Sequence, residues 1–281
     1  MEYQNHERMV YVMNDHRPIG VFDSGIGGIT VLRELVKKFP HENFIYLGDT
    51  ARLPYGTKSA PTVRKYSEQN MNFLISKNVK ALVVACNTAS TQVSESFYNK
   101  ISVYNVIDPG SKMAAEKTKT KKIAVLATRA TVKANTYEQR IKLFDSTIQV
   151  FSQPCPLFVS LAEEGWHDDP ITDQVATRYL SGLVHHKIDT IVLGCTHYPL
   201  LKKSISKVFN SEIILIDSGT AICQLLENDF NQNKILRNEI KAKTNITICL
   251  TDEGPQFEEL SLQLLAECTH EKINFELVTV I

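Results

Sequence analysis

No apolar run in this sequence approaches the ~18–20 residues that a membrane-spanning helix needs. Nor do residues 1–17 carry the apolar stretch of a signal peptide, because Glu2, His6, Glu7, Arg8, Asp15, His16 and Arg17 interrupt them. Both absences predict a cytoplasmic protein with no membrane partner. An excess of either charge is missing too: Lys+Arg and Asp+Glu each number 31. Nucleic-acid binding usually needs a basic surface. The densest basic run, Lys117 to Lys122, is broken by threonines and reads as a solvated helix end. No nucleic-acid partner is expected, and an acidic or neutral small molecule is the more natural ligand.

None of the six cysteines forms a C-x-x-C pair. Their scatter suggests neither a disulfide framework nor a zinc knuckle, and in a reducing cytoplasm they are expected to be free thiols. A glycine-rich Walker loop is absent. The run Asp23-Ser-Gly-Ile-Gly-Gly28 falls short of a dinucleotide fingerprint, because the third glycine would have to occupy the position of Thr30. No lysine sits in a recognisable pyridoxal motif. Nothing calls for a cofactor or a metal.

What is present is a chain of 281 residues, 43% hydrophobic and 22% charged, long enough for one large domain or two of ordinary size. Short apolar runs at residues 19–22, 44–47, 81–85, 123–127, 190–193 and 213–216 read as buried strands. Between them, Leu32, Leu35, Val36 and Phe39 recur at helical spacing, and Val63, Tyr66, Asn70 and Phe73 do so less regularly. Continuous apolar strands alternating with helices predict parallel sheets covered on both faces, the α/β class.

The chain also repeats itself. Ile19-Gly-Val-Phe-Asp-Ser matches Ile123-Ala-Val-Leu-Ala-Thr, and Val83-Val-Ala-Cys86-Asn-Thr matches Val192-Leu-Gly-Cys195-Thr-His. Val106-Ile-Asp108-Pro-Gly110 likewise matches Leu215-Ile-Asp217-Ser-Gly219. One such match could be chance; three in the same order at nearly constant spacing argue for two similar halves. Each half then sets a cysteine just past the C-terminal end of a buried strand, where open parallel sheets bind ligands. Halves facing each other about a pseudo-twofold axis would bring Cys86 and Cys195 to one cleft.

Each motif has a plain structural reading beside the chemical one. Asp23 is either a tight-turn residue or an acid–base auxiliary, in a turn whose N–H groups at a helix N-terminus suit a carboxylate. Gly48-Asp-Thr-Ala-Arg-Leu-Pro54-Tyr55-Gly56 is an ordinary loop by its turn chemistry; as a binding loop it would offer a phenol and backbone amides. Cys155, Cys223, Cys249 and Cys268 read as small buried hydrophobes. Cys86 and Cys195 differ, because a hydroxyl or amide side chain and then a helical pattern follow each, and a helix N-terminus stabilises a thiolate. His197 can exchange a proton with Cys195. The pair could also be half of a zinc site, but the further ligands are not evident. Glu163 and Glu164 close an apolar segment and either return it to solvent or put a carboxylate at the cleft rim.

Taken in order, several motifs resemble the glutamate racemase family. They are Asp23-Ser-Gly-x-Gly-Gly, Pro54-Tyr-Gly, Cys86-Asn-Thr-Ala, Thr128-x-x-Thr131-Val, Cys155-Pro-Leu-Phe-Val, Gly194-Cys-Thr-His-Tyr-Pro-Leu and Ile216-Asp-Ser-Gly. The two cysteine motifs mark the wider aspartate/glutamate racemase group, and the first two motifs narrow it to glutamate. Ala127 stands where the family commonly has glycine, and Ser160 where it often has proline. The resemblance implies two pseudo-symmetric parallel-sheet domains, Rossmann-like or flavodoxin-like, with the active site between them. Residues 18–108 with 218–281 would form the first and 109–217 the second, after an N-terminal extension of residues 1–17.

The same resemblance implies cofactor-independent interconversion of L- and D-glutamate, supplying D-glutamate for peptidoglycan. Inverting an α-carbon takes a base on one face and an acid on the other, and thiols, with a reference pKa of ~8.5, can populate either form near neutrality. By resemblance Cys86, helped by Asp23, takes the proton of D-glutamate; Cys195, helped by His197 and Glu163, takes that of L-glutamate. Substrate contacts are implied for Asp23, Ser24, Pro54, Tyr55, Gly56, Asn87, Thr88, Thr131, Thr196 and His197. Some relatives with an N-terminal extension respond to an activator, UDP-N-acetylmuramoyl-L-alanine, and many are homodimers, so the resemblance implies that activator and a second copy of the chain as candidate partners. Two rival functions stay open at this point: a racemase or related enzyme acting on aspartate, and a glutamate sensor that binds without turnover.

Overall fold

The computed structural model describes residues 15–94, 96–209, 213–233, 244–269 and 271–281. Of the expected N-terminal extension, residues 1–14 lie outside the described residues. The first stretch of chain forms β1 (Ile19–Asp23), α1 (Ile29–Lys38), β2 (Phe44–Gly48), α2 (Ala60–Ser76), β3 (Ala81–Val84), α3 (Asn87–Ser90), β4 (Phe97–Tyr98), β5 (Ile101–Asn105) and α4 (Ile107–Lys117). The next forms β6 (Lys122–Ala127), α5 (Arg129–Ala134), α6 (Thr136–Phe144), β7 (Gln149–Pro154), α7 (Leu157–Glu163), α8 (Pro170–Val184), β8 (Thr190–Gly194), α9 (Lys202–Lys207) and β9 (Ile214–Asp217). The last forms α10 (Ser218–Asn233), β10 (Ile246–Leu250), α11 (Pro255–Leu265) and β11 (Ile273–Leu277).

The strands make two sheets, one of seven in the order β11-β10-β2-β1-β3-β5-β4 and one of four in the order β7-β6-β8-β9. The pairings are parallel throughout, except that β4 runs antiparallel to β5. The segment β2-β1-β3-β5 has the same order as β7-β6-β8-β9, so the sequence repeat is a repeat of topology. β1 corresponds to β6 and β3 to β8, with Ile19 opposite Ala81 in one sheet and Ile123 opposite Thr190 in the other.

Side chains that alternate along a strand enter opposite layers, and β3 shows it. Val83 joins Leu32, Leu35 and Val36 of α1 and Leu226 and Phe230 of α10 on one face. Leu82 and Val84 join Val63, Met71 and Leu74 of α2 on the other. In the second sheet, Ala124 and Leu126 face Phe158 of α7, Leu180 of α8 and Ile205 of α9, whereas Ile123 and Val125 face Ile107 of α4 and Ile141 of α6. Both sheets are thus covered twice, as uninterrupted apolar strands require. The irregular spacing along α2 has a simple cause: its buried face includes Ser67 and Asn70, while Tyr66 and Phe73 are half-buried.

After β5 the chain leaves the first sheet through α4, and after β9 it returns through α10 to place β10 beside β2, with Ile246 opposite Phe44. Among the described residues no helix is long and apolar enough to cross a membrane.

Candidate active site

The C-terminal ends of β1, β3, β6 and β8 open onto one cleft of about 830 Å3. One wall carries Ser24, Pro54, Tyr55, Gly56, Cys86, Asn87 and Thr88; the facing wall carries Thr128, Glu163, Cys195, Thr196 and His197. The two cysteines stand on opposite walls because β3 and β8 are equivalent strands of facing sheets.

Cys86 caps α3, with its sulfur accepting the Ala89 N–H at 3.5 Å and its thiol directed at Ser24 Oγ, 4.0 Å away. Burial pushes the thiol well above its ordinary pKa, and the charge of Asp23 adds to that; the Ala89 N–H pulls weakly the other way. Cys195 has a different neighbourhood. His197 Nδ1 lies 3.7 Å from its sulfur, and His197 Nε2 lies 3.1 Å from Glu163 Oε1. Burial alone would lower the imidazolium pKa, but Cys195 and Glu163 together outweigh it and lift His197 to about 10.

Asp23 does not line the cleft. It is fully buried beneath the turn, where Oδ2 accepts the Gly25 N–H at 2.9 Å and Oδ1 accepts the Thr196 hydroxyl at 3.3 Å. Burial raises its pKa, against the opposing charge of His197. Its carboxylate thus ties the turn of the first half to the strand end of the second. Thr30 reinforces the tie by donating to the Thr196 carbonyl at 2.8 Å. The approach is too close for a side chain at Gly27: a Cβ there would fall 2.4 Å from Thr196 Oγ1 and 2.5 Å from His197 Nδ1.

Thr131 also lies behind the wall. Its hydroxyl is 3.1 Å from that of Thr88 and 3.0 Å from that of Thr128, and Thr128 is 3.0 Å from Thr88, a hydroxyl cluster joining α3 to the N-terminus of α5. Tyr55 lines the cleft, but its phenol donates to the buried Asp49 and receives Asn70 Nδ2 at 3.0 Å. Arg52 closes the same group, with Nε 2.9 and 2.8 Å from the Asp49 oxygens. The phenol that the loop seemed free to offer is committed to holding the loop, and this explains the buried Asn70 on α2.

Cys86, Cys195, His197, Glu163, Ser24, Pro54, Tyr55, Gly56, Asn87, Thr88 and Thr196 all line the cleft, while Asp23 and Thr131 lie behind it. Sequence reasoning missed Thr128, Arg129, Lys133 and Lys58 on the walls. The Thr128-x-x-Thr131 motif was the available signal for the first; Arg129 and Lys133 then follow on the cleft-facing side of α5. Asp49 was inside a recognised loop, but only its contacts with Arg52, Tyr55 and Thr251 reveal its role. Cys155, Cys223 and Cys249 are buried as expected, and Cys268 is partly exposed. Among the described residues, no group of three or more His, Cys, Asp or Glu side chains could hold a metal ion.

Comparison with known proteins gives this cleft a context. The sequence model of the Asp/Glu/Hydantoin racemase family matches residues 19–226. A glutamate racemase of Geobacter metallireducens is 44% identical over 223 residues, 79% of this chain and 83% of that one. The crystal structure of the Francisella tularensis glutamate racemase in complex with D-glutamate aligns with a TM-score of 0.86 and 37% identity, covering 94% of this chain and 98% of that one. The Escherichia coli glutamate racemase, in complex with L-glutamate and the activator UDP-MurNAc-ala, aligns with a TM-score of 0.74 and 29% identity, covering 94% and 99%.

Proposed function

The chain belongs to the Asp/Glu/Hydantoin racemase family, and we propose that it interconverts L- and D-glutamate with Cys86 and Cys195 as the two proton carriers. The observation that carries this reading is the placement of one buried cysteine on each wall of a single cleft. A substrate α-carbon between them meets a sulfur on each face. With L-glutamate, the Cys195 thiolate takes the α-proton and the Cys86 thiol delivers its own to the opposite face. The product is D-glutamate, with Cys86 now the thiolate and Cys195 the thiol, and the reverse reaction restores the starting state.

The two cysteines have unequal neighbours. Burial and Asp23 favour the protonated form of Cys86. His197, held by Glu163, faces the sulfur of Cys195, within reach to exchange a proton with it. Asp23 acts on Cys86 through its charge and on the cleft through its bond to Thr196. Ser24, Asn87, Thr88 and Thr196 provide short polar groups for the substrate's carboxylates and ammonium, and so stabilise charge that develops at the α-carbon. Both proton positions come from the chain itself, so the reading needs no cofactor.

D-Glutamate made here would supply peptidoglycan synthesis in the cytoplasm. The order of strands supports a division of the chain near residues 108 and 218 into two α/β domains. The test of function is polarimetry of L-glutamate with the purified chain and no added cofactor: loss of rotation toward zero is expected. Rotation of L-aspartate lost at a comparable rate would redirect the substrate assignment. Turnover with and without UDP-MurNAc-ala decides whether this chain responds as the Escherichia coli neighbour's bound activator suggests, and light scattering decides whether it is a homodimer.

A further inference from the structure

Tyr46 stands on β2 opposite Val21 and is fully buried. Its counterpart in the second half, on β7 opposite Val125, is the exposed Ser152. The repeat thus places a buried phenol at this position in one half and a short exposed hydroxyl in the other.

The Tyr46 hydroxyl donates to the Gly25 carbonyl at 2.5 Å. A carbonyl only accepts. Burial, then the charges of Asp23 and Cys86, push the phenol well above its ordinary pKa, so it stays the donor. The N–H of the same glycine goes to Asp23 Oδ2 at 2.9 Å, so both polar groups of Gly25 are fixed. The turn also packs tightly on the phenol: a Cβ at Gly28 would come 2.5 Å from the Tyr46 oxygen and 2.4 Å from Asp23 Cβ. What this turn presents to the cleft is Ser24 and Gly25. Ser24 Oγ lies 4.0 Å from the Cys86 sulfur. Burial and Asp23 push the Cys86 thiol up, and the N–H groups of Ala89 and Ser24 pull it the other way.

We propose that Tyr46 is a positioning residue for Cys86: by fixing Gly25 it holds Ser24 against that sulfur and supports proton transfer on one face of the cleft. The other face does not depend on it, because the far end of the turn is fastened separately. There Gly27 packs on Thr196 and His197, and Thr30 donates to the Thr196 carbonyl at 2.8 Å. Tyr46 touches neither substrate nor sulfur; it acts through the turn.

The inference rests on the racemase reading for its substrate, and its test isolates each face. Cys195→Ala leaves Cys86 as the base for D-glutamate, and Cys86→Ala leaves Cys195 as the base for L-glutamate. Tyr46→Phe, added to each, removes one buried hydroxyl. Exchange of the α-proton in deuterium oxide is then followed at saturating glutamate. D-Glutamate exchange by Cys86 is expected to slow about tenfold, the order that a lost buried hydrogen bond and a small misplacement cost. L-Glutamate exchange by Cys195 should change by less than about threefold on the same grounds. Equal loss on both faces would mean a merely structural role, and no loss on either would remove the role; both outcomes overturn the proposal. Tyr46→Met, apolar and adaptable in shape, is the deciding variant if Tyr46→Phe does not fold.

A second readout needs no turnover. Iodoacetamide labelling of Tyr46→Phe with both cysteines present, read by mass spectrometry, should show Cys86 labelled severalfold more slowly relative to Cys195 than in wild type. An unchanged or raised ratio overturns the proposal. Wild-type protein that neither racemises nor exchanges glutamate defeats the racemase reading alone, and the labelling ratio still decides the role of Tyr46.

Discussion

His197 Nδ1 lies 3.7 Å from the sulfur of Cys195, whereas Thr88 holds the corresponding place two residues after Cys86. The internal repeat gives the two thiols equivalent positions at strand ends, yet it does not give them equivalent neighbours. Cys86 has the carboxyl group of Asp23 behind it, and Cys195 has a histidine held by Glu163.

Replacing His197 by asparagine removes the proton partner of Cys195. A positioned acid or base contributes on the order of 10²–10⁴-fold, so kcat/KM should fall by about that factor. L- and D-glutamate have equal free energy in water, so kcat/KM must fall equally in both directions; the asymmetry of the site shows in kcat and KM, which differ between directions by the same ratio. Polarimetry from each enantiomer measures both. A variant within threefold of wild type would contradict the role given to His197.

The same residue links stability to pH. Burial lowers the His197 imidazolium pKa, but Cys195 and Glu163 raise it more, to about 10, against ~6.5 for an unperturbed histidine. The folded state therefore holds this proton more tightly than the unfolded chain. That contribution is fully present below pH ~6.5 and is lost as pH rises through the folded value. The Tm difference between wild type and His197→Asn should narrow across this window in thermal melts. A difference that stays constant would contradict the ion-pair account.

Glu163→Gln tests the outer half of the pair. Removing a nearby negative charge lowers an imidazolium pKa, so the alkaline limb of the kcat/KM profile should move to lower pH while the acid limb stays in place. A pH–rate profile of the variant that overlays the wild-type profile would show that Glu163 does not act through His197.

Gly27→Ala tests the seam between the halves. The added Cβ would overlap Thr196 Oγ1 and His197 Nδ1, both parts of buried side chains with little room to move. Activity should drop by at least roughly tenfold, the order that small misplacements of catalytic groups cost, with far-ultraviolet circular dichroism unchanged. An alanine variant with full activity would mean that the seam opens freely.

Most of the inner architecture could be read from the chain. The six apolar runs correspond to β1, β2, β3, β6, β8 and β9 within a residue or two at their ends. The unread strands are mostly at sheet edges: β4 and β11 flank one sheet and β7 flanks the other. Half-exposed sequences such as Gln149-Val-Phe-Ser-Gln-Pro lack the continuous apolar signal of a buried strand. The cleft residues were legible because they cluster in short motifs after strands. The supports were not, because Asp49 with Thr251, Asn70 with Tyr55 and Asn87 with Tyr137 are contacts between separate elements, and no local pattern encodes them. Tyr55 carries the lesson most clearly: the motif placed it at the cleft, and only the fold showed its hydroxyl turned to Asp49.

Solvent exchange at the glutamate α-carbon tests the two-thiol mechanism most directly, followed by proton magnetic resonance in deuterium oxide for Cys86→Ala and Cys195→Ala. Each variant keeps one thiol on one face, so neither should invert glutamate. Cys86→Ala should exchange the α-proton of L-glutamate alone, and Cys195→Ala that of D-glutamate alone, both with retention of configuration. Inversion by either single variant at near the wild-type rate would contradict the assignment of one thiol to each face.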